Sequence, residues 1–202
     1  MREQPGRFHN DDGSADLAIR SARTPEQLLQ ALNAGRVLVA IVATADERGD
    51  DGSDKSSHMS VVSMVSADGR RGLLAFTGLD ALQAWDPTAR PVPVSGADAA
   101  RAALDDGCEA MVIDVAGPRN QVVIEADLIA LTGIDRPEYV RELAQKALDE
   151  QFGVGATWVG AEDDRLQVAS DRIGSSELTQ ALQRLPRVLA LVPAGIEVLA
   201  DQ

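Results

Sequence analysis

The chain holds two histidines, His9 and His58, and one cysteine, Cys108. These side chains are the ones best suited to acid–base or nucleophilic work near neutral pH. A general base must be held within hydrogen-bond reach of the proton it takes. His9 sits in a polar N-terminal stretch, and His58 closes the run ADERGDDGSDKSSH. Segments of that composition cannot offset the entropy of ordering themselves, so both histidines read as solvated. Cys108 follows Gly107 and has Asp105, Asp106 and Glu109 as neighbours, which disfavour a thiolate. It reads as an inert, partly buried thiol. As the single cysteine it excludes an intramolecular disulfide and a CxxC motif.

Asp46, Glu47, Asp50, Asp51 and Asp54 invite a calcium reading. The D-x-[DN]-x-[DN]-G spacing fails, because Arg48 stands third from Asp46 and no Glu closes the loop. No GxGxxG or GxxxxGK[ST] glycine pattern offers a phosphate cradle, and no GxSxG offers a nucleophile elbow. Two acids remain in structurally defined settings. Asp86 precedes Pro87 and reads as a turn former. Asp114 stands between Ile113 and Val115 and can face solvent or point inward to cap a neighbouring segment; the solvent-facing reading is favoured, since an unpaired buried carboxylate is costly. The residues therefore point to no catalytic, cofactor-binding or metal site. Trp85 ends a short helix that Leu79 and Leu82 anchor and reads first as a plug of the first unit's core; the alternative is an interaction surface at Leu79, Trp85 and Asp86, since tryptophan is favoured at binding hot spots.

The elements that would carry these residues follow from pattern. Thr24-Pro25-Glu26-Gln27 opens a helix as a capping box with proline at the first helical position, and Gly35 closes it. Arg36 to Thr44 reads as a buried strand. Residues 45–58 read as a flexible acidic loop. Met59 to Ser66 and Leu73 to Thr77 complete a three-stranded meander. Thr77 reads as the cap of a helix ending at Trp85, and Arg90 to Val94, with two prolines, as an edge strand. Ser95 caps the next helix, with Asp98 three positions on. Glu109 to Val115 and Asn120 to Glu125 are strands around the Gly117-Pro118 turn. Beyond Asp135 come a helix ending at Gly153, strands at 154–160 and 165–169, a helix from Ser175, and strands at 188–192 and 196–200. The fold class is α+β: a mixed, mainly antiparallel sheet with short helices, followed by a smaller helix-plus-sheet C-terminal unit. The expected division is a mobile tail and lead-in over 1–23, one domain over 24–134, and a smaller unit over 135–202 packed on it.

The 202 residues carry a net charge of −13, which repels a phosphate backbone and excludes a nucleic-acid partner without a basic patch. Aromatic residues are 3% of the chain, too few for a base-stacking platform or an aromatic-lined cleft. The longest apolar run, Val37 to Ala43, falls far short of a membrane span of roughly 20 residues. No apolar leader follows Met1, so a cytoplasmic protein is expected.

The segments LLAFTGLDALQAWDP and RPVPVSGADAARAALDDGCEAMVIDVAGP, over residues 73–118, resemble the N-terminal domain of SseB-type proteins, named for enhanced serine sensitivity. The shared features are Phe76-Thr77, the helix ending Ala84-Trp85, Arg90-Pro91-Val92-Pro93, and the strand before Gly117-Pro118. The resemblance extends over residues 24–134, with the loop at 45–58 as an insertion. It implies a soluble α+β bacterial protein with no assigned enzymatic activity. Together with the lack of a reactive constellation, it points to a non-enzymatic interaction or regulatory module without a cofactor, working on a protein partner or on a second copy of itself. The alternative is a small-ligand binder or a hydrolase using a cleft between the two units.

Overall fold

A computed structural model describes residues 8, 10–43, 59–162 and 165–199. His9, His58 and the acidic loop at 45–58 lie outside the described residues. The chain divides into two compact units, Met1–Thr132 and Gly133–Gln202.

The first unit opens with α1 (Leu17–Ser21) and α2 (Pro25–Ala34), followed by β1 (Arg36–Ala43), β2 (Met59–Val61), β3 (Ser63–Val65) and β4 (Arg71–Phe76). Then come α3 (Leu79–Trp85), β5 (Arg90–Ser95), α4 (Gly96–Asp105), β6 (Ala110–Ile113), β7 (Gln121–Ile124) and α5 (Glu125–Thr132). The strands form one mixed, mainly antiparallel sheet. β1 pairs antiparallel with β2, β4 and β5, while β4 and β6 run parallel and β6 and β7 antiparallel.

The expected strand over 59–66 is broken at Val62 into β2, which pairs with β1, and β3, which pairs with β4. Val62 bridges the two, its N–H donating to the carbonyl of Ala40 at 3.1 Å and its carbonyl accepting from Leu74 N–H at 2.9 Å. The segment is thus a wedge entering between β1 and β4, which close on each other below it at Leu38–Phe76 and Val39–Ala75. Among the described residues, β5 pairs with β1 alone. Pro91 and Pro93 alternate along it, so both missing donors lie on one side, which an edge strand tolerates.

Register divides the side chains between two faces. Val37, Val39, Leu73, Ala75, Met111 and Ile113 point one way and are buried beneath the layer of α2, α4 and α5. Gly96 lets α4 approach α2 closely, because a Cβ there would meet the Leu32 carbonyl oxygen at 2.3 Å. On the other face Leu38, Ala40, Leu74 and Phe76 form a cluster closed by Leu82 of α3. Trp85 packs half-buried against that cluster, its ring centroid 5.4 Å from that of Phe76.

Two elements have no counterpart in the sequence reading. α1 is capped by the Asp16 carboxylate, which accepts from the N–H groups of Ala18 and Ile19. α5 follows β7 directly. Thr77 does not cap α3. Gly78 holds that position, and the threonine hydroxyl is committed elsewhere.

The second unit contains α6 (Arg136–Phe152), β8 (Trp158–Glu162), β9 (Arg165–Ala169), α7 (Ser175–Gln183), α8 (Pro186–Leu191) and β10 (Ile196–Val198). Its sheet has the order β10-β9-β8, with β8 and β9 antiparallel and β9 and β10 parallel. The expected strand at 188–192 is instead α8. Pro186 occupies its first turn, and Val188, Leu191 and Val192 are buried while Leu189 and Ala190 face solvent. That spacing is helical, and a short apolar run does not separate helix from strand by composition.

Trp85→Ala removes the ring that rests on Phe76 and Leu82. A fully buried tryptophan costs about 3–5 kcal/mol on truncation, and half-burial reduces the expected loss to about 2–3 kcal/mol. Urea unfolding measures it, and a loss under about 0.5 kcal/mol would remove Trp85 from the core.

Candidate functional site

Among the described residues, a buried polar arrangement of the first unit lies at the C-terminal ends of the parallel strands β4 and β6. Thr77 follows β4 and is fully buried. Asp114 follows β6 with φ +54°, a left-handed conformation that aspartate tolerates better than most residues. That turn swings its carboxylate inward, and Asp114 is 6% exposed, which corrects the solvent-facing expectation. The physical reason is compensation. The carboxylate accepts from Thr77 N–H at 2.8 Å and from the Thr77 hydroxyl at 2.7 Å, so it is buried but not unpaired.

Two arginines enclose this pair. Arg20 of α1 donates from Nε to Thr77 Oγ1 at 2.8 Å, and the same Nε lies 3.9 Å from Asp114. Its two terminal nitrogens grip the Asp80 carboxylate at 2.7 and 2.6 Å. That hydrogen bond lowers the Asp80 pKa and raises that of Arg20. Arg36 begins β1 and is 9% exposed. It donates from Nε and one terminal nitrogen to Asp11 at 2.5 and 3.0 Å, to the carbonyl of Thr77 at 2.6 Å, and to the carbonyl of Ser14 at 2.5 Å. The arginine holds the Asp11 carboxyl below the usual carboxylate range.

A strap over Asp11–Asp16 is thereby fastened across the strand ends. Leu79 N–H donates to the Gly13 carbonyl at 2.8 Å, and Asp16 N–H to the Thr77 carbonyl at 2.9 Å. Gly13 has φ +74°, and a Cβ there would fall against Leu79 Cδ1, so a larger residue at that point is strained.

Of the three residues expected at an interaction surface, Leu79 is half-buried under the strap and Trp85 half-buried over Phe76. Asp86 forms the turn its position suggested, accepting from Thr88 N–H and hydroxyl, both at 2.7 Å, and its pKa is lowered by the Thr88 hydroxyl. Cys108 is fully buried. Sequence reasoning missed Arg20, Arg36 and the Thr77–Asp114 pair. Their signals were single polar residues bracketing apolar strands: Arg36 before VLVAIV, Thr77 after LLAF and Asp114 after MVI.

The family model for the SseB protein N-terminal domain matches residues 15–131. The chain belongs to the SseB family. No curated protein and no solved structure matches it. In this SseB domain the match takes in Arg20, Arg36, Thr77, Asp80 and Asp114, and begins after Asp11.

The Asp11–Arg36 pair carries a pH dependence whose sign follows from the lowered carboxyl. A carboxylate with a depressed folded-state pKa stabilises the fold above its unfolded value, 3.8. That contribution is lost as pH falls through the lower folded value. Asp11→Asn is expected to cost about 2 kcal/mol at pH 7, as hydrogen bonds to charged groups do. The difference from the wild-type chain should shrink as pH drops below about 4. Thermal unfolding between pH 2.5 and 7 measures both, and a difference independent of pH would show that the pair is not the cause.

Proposed function

We propose that this SseB-family chain is a non-enzymatic protein-interaction or regulatory module of the bacterial cytoplasm. The observation that carries the reading is the unequal cover of its sheet. On the face that α3 caps, register aligns Met64, Val112, Val122 and Ile124. Val122 is 54% exposed, Ile124 55% and Met64 38%. Monomers seldom leave contiguous apolar surface open unless it serves a contact. β7 adds an edge to this patch: among the described residues it pairs with β6 alone, so its outer backbone groups remain available for strand addition.

Leu79, Trp85 and Asp86 are proposed as the rim of this surface. Leu79, Trp85 and Val112 pack against the same cluster of Leu38, Leu74 and Phe76, which makes the helix and the open strands one continuous apolar region. The polar groups at the strand ends support a non-enzymatic role from the other side. Thr77, Asp114 and Arg36 satisfy one another and the strap, and a group so engaged is poorly placed to exchange protons with a substrate. No described helix is long and apolar enough to cross a membrane, and the net charge of −13 favours a protein over a nucleic-acid partner.

Val122→Asp combined with Ile124→Asp tests this surface. Both side chains are exposed, so the thermal midpoint should move by no more than about 4 °C, the shift that roughly 1 kcal/mol gives a domain of this size. In affinity capture from native cell extract with mass-spectrometric readout, the partner held by the wild-type chain should be reduced at least tenfold. A partner held equally by both chains would place the contact elsewhere, and no partner at all would count against the module reading.

A further inference from the structure

The strap at the strand ends is held as a bound peptide is held. Its main chain is read at the Gly13 carbonyl, the Ser14 carbonyl and the Asp16 N–H. One carboxylate, Asp11, enters the fork of a buried arginine. Gly13 is the point of closest approach to Leu79. The side chains of Asp12 and Ser14 are exposed and read by nothing deep. No large apolar side chain between Asp11 and Asp16 anchors the segment, so its hold comes from charge-assisted hydrogen bonds that an identical segment would reproduce. The tetrapeptide Asp11-Asp12-Gly13-Ser14 occurs a second time in the chain, as Asp50-Asp51-Gly52-Ser53.

Chain length sets which copy of the socket the second tetrapeptide can enter. Residues 43 and 59 pair at the end of β1 opposite Arg36. An extended strand advances roughly 3.3 Å per residue, and so does the fully stretched chain that would have to return along it. The arms 43–50 and 53–59 are no longer than β1 itself, so entry into the socket of the same molecule leaves no slack. A second molecule imposes no such limit.

We propose that Arg36, Thr77 and Leu79 form a socket for an extended Asp-Asp-Gly-Ser segment, that the chain's own strap fills it, and that Asp50–Ser53 of a second copy displaces the strap. The socket shares Leu79 with the rim of the apolar sheet face, through its N–H to the Gly13 carbonyl, and does not rest on the exposed Val122 and Ile124.

The test uses the full chain and fluorescein-labelled peptides spanning residues 49–55. Asp11→Asn weakens the resident strap and leaves the socket intact. The Asp11→Asn chain should bind the peptide at least tenfold more tightly than the wild-type chain in fluorescence anisotropy. Peptides carrying Asp50→Asn or Gly52→Ala should bind at least tenfold more weakly than the unaltered one. In sedimentation the Asp11→Asn chain should self-associate, and adding Asp50→Asn to it should restore the monomer. Equal binding by the two chains, or indifference to the peptide substitutions, would overturn the socket. Peptide binding by an Asp11→Asn chain that stays monomeric would overturn exchange between copies. Hydrogen exchange guards against a trivial failure. If Asp11→Asn exposes the amides of β4 as much as that of Leu79, the strap is part of the cooperative core and the proposal falls.

Discussion

The guanidinium of Arg36 is the contact on which the arrangement of the first unit depends. It begins the central strand β1, holds the carbonyl that ends β4, and fixes the strap through Asp11 and Ser14. A buried arginine is costly to desolvate, and it is tolerated where its fork meets a carboxylate and carbonyls in good geometry. Four of its hydrogen bonds meet that condition. The Thr77 backbone is consequently pinned from both sides, its carbonyl by Arg36 and Asp16 and its N–H by Asp114. With both groups used in this way, Thr77 is not the cap of α3; Gly78 takes that position and the helix begins at Leu79.

The same constraint explains why Asp114 adopts a positive φ. β6 runs parallel to β4, so the two strands end side by side. A carboxylate leaving β6 in the ordinary extended direction would not reach Thr77 N–H, whereas the left-handed turn delivers it. Holding a non-glycine residue in that region costs on the order of 1 kcal/mol or more. Two hydrogen bonds to a buried charge outweigh that cost. Arg20 then completes the set: its Nε donates to the threonine hydroxyl and lies 3.9 Å from Asp114, while its terminal nitrogens pair with Asp80 at the surface.

Much of the fold was legible in the sequence because local signals agreed. Thr24-Pro25 and Ser95-Gly96-Ala97-Asp98 cap helices as their residue types suggest, and the apolar stretches 36–43, 71–76 and 110–113 are strands. The resemblance in residues 73–118 led to the family that the wider match shows. What stayed hidden is of another kind. The inward turn of Asp114 depends on a partner 37 residues away in sequence, and the Arg36–Asp11 pair spans 25. Neither separation is periodic. α8 was hidden for a different reason: VLALV satisfies strand propensity, and packing against α6 and α7 in its own unit selects the helical phase.

The two faces of the sheet also differ in what they can do. Under α2, α4 and α5, small, fully buried residues such as Ala99, Ala100 and Ala103 of α4 bring the helices close. On the opposite face, among the described residues, the short helix α3 packs on β1 and β4. A seven-residue helix spans about 10 Å at 1.5 Å per residue. Neighbouring strands lie about 4.8 Å apart, so α3 shades roughly two or three of them and cannot extend to β7. The exposure of Val122 and Ile124 is therefore a consequence of element length, not of a local irregularity. Lengthening α3 is blocked in turn by Pro87 on one side and by the pinned Thr77 on the other. Among the described residues of the first unit, the polar network that ends β4 thus limits how far α3 can extend over the apolar face.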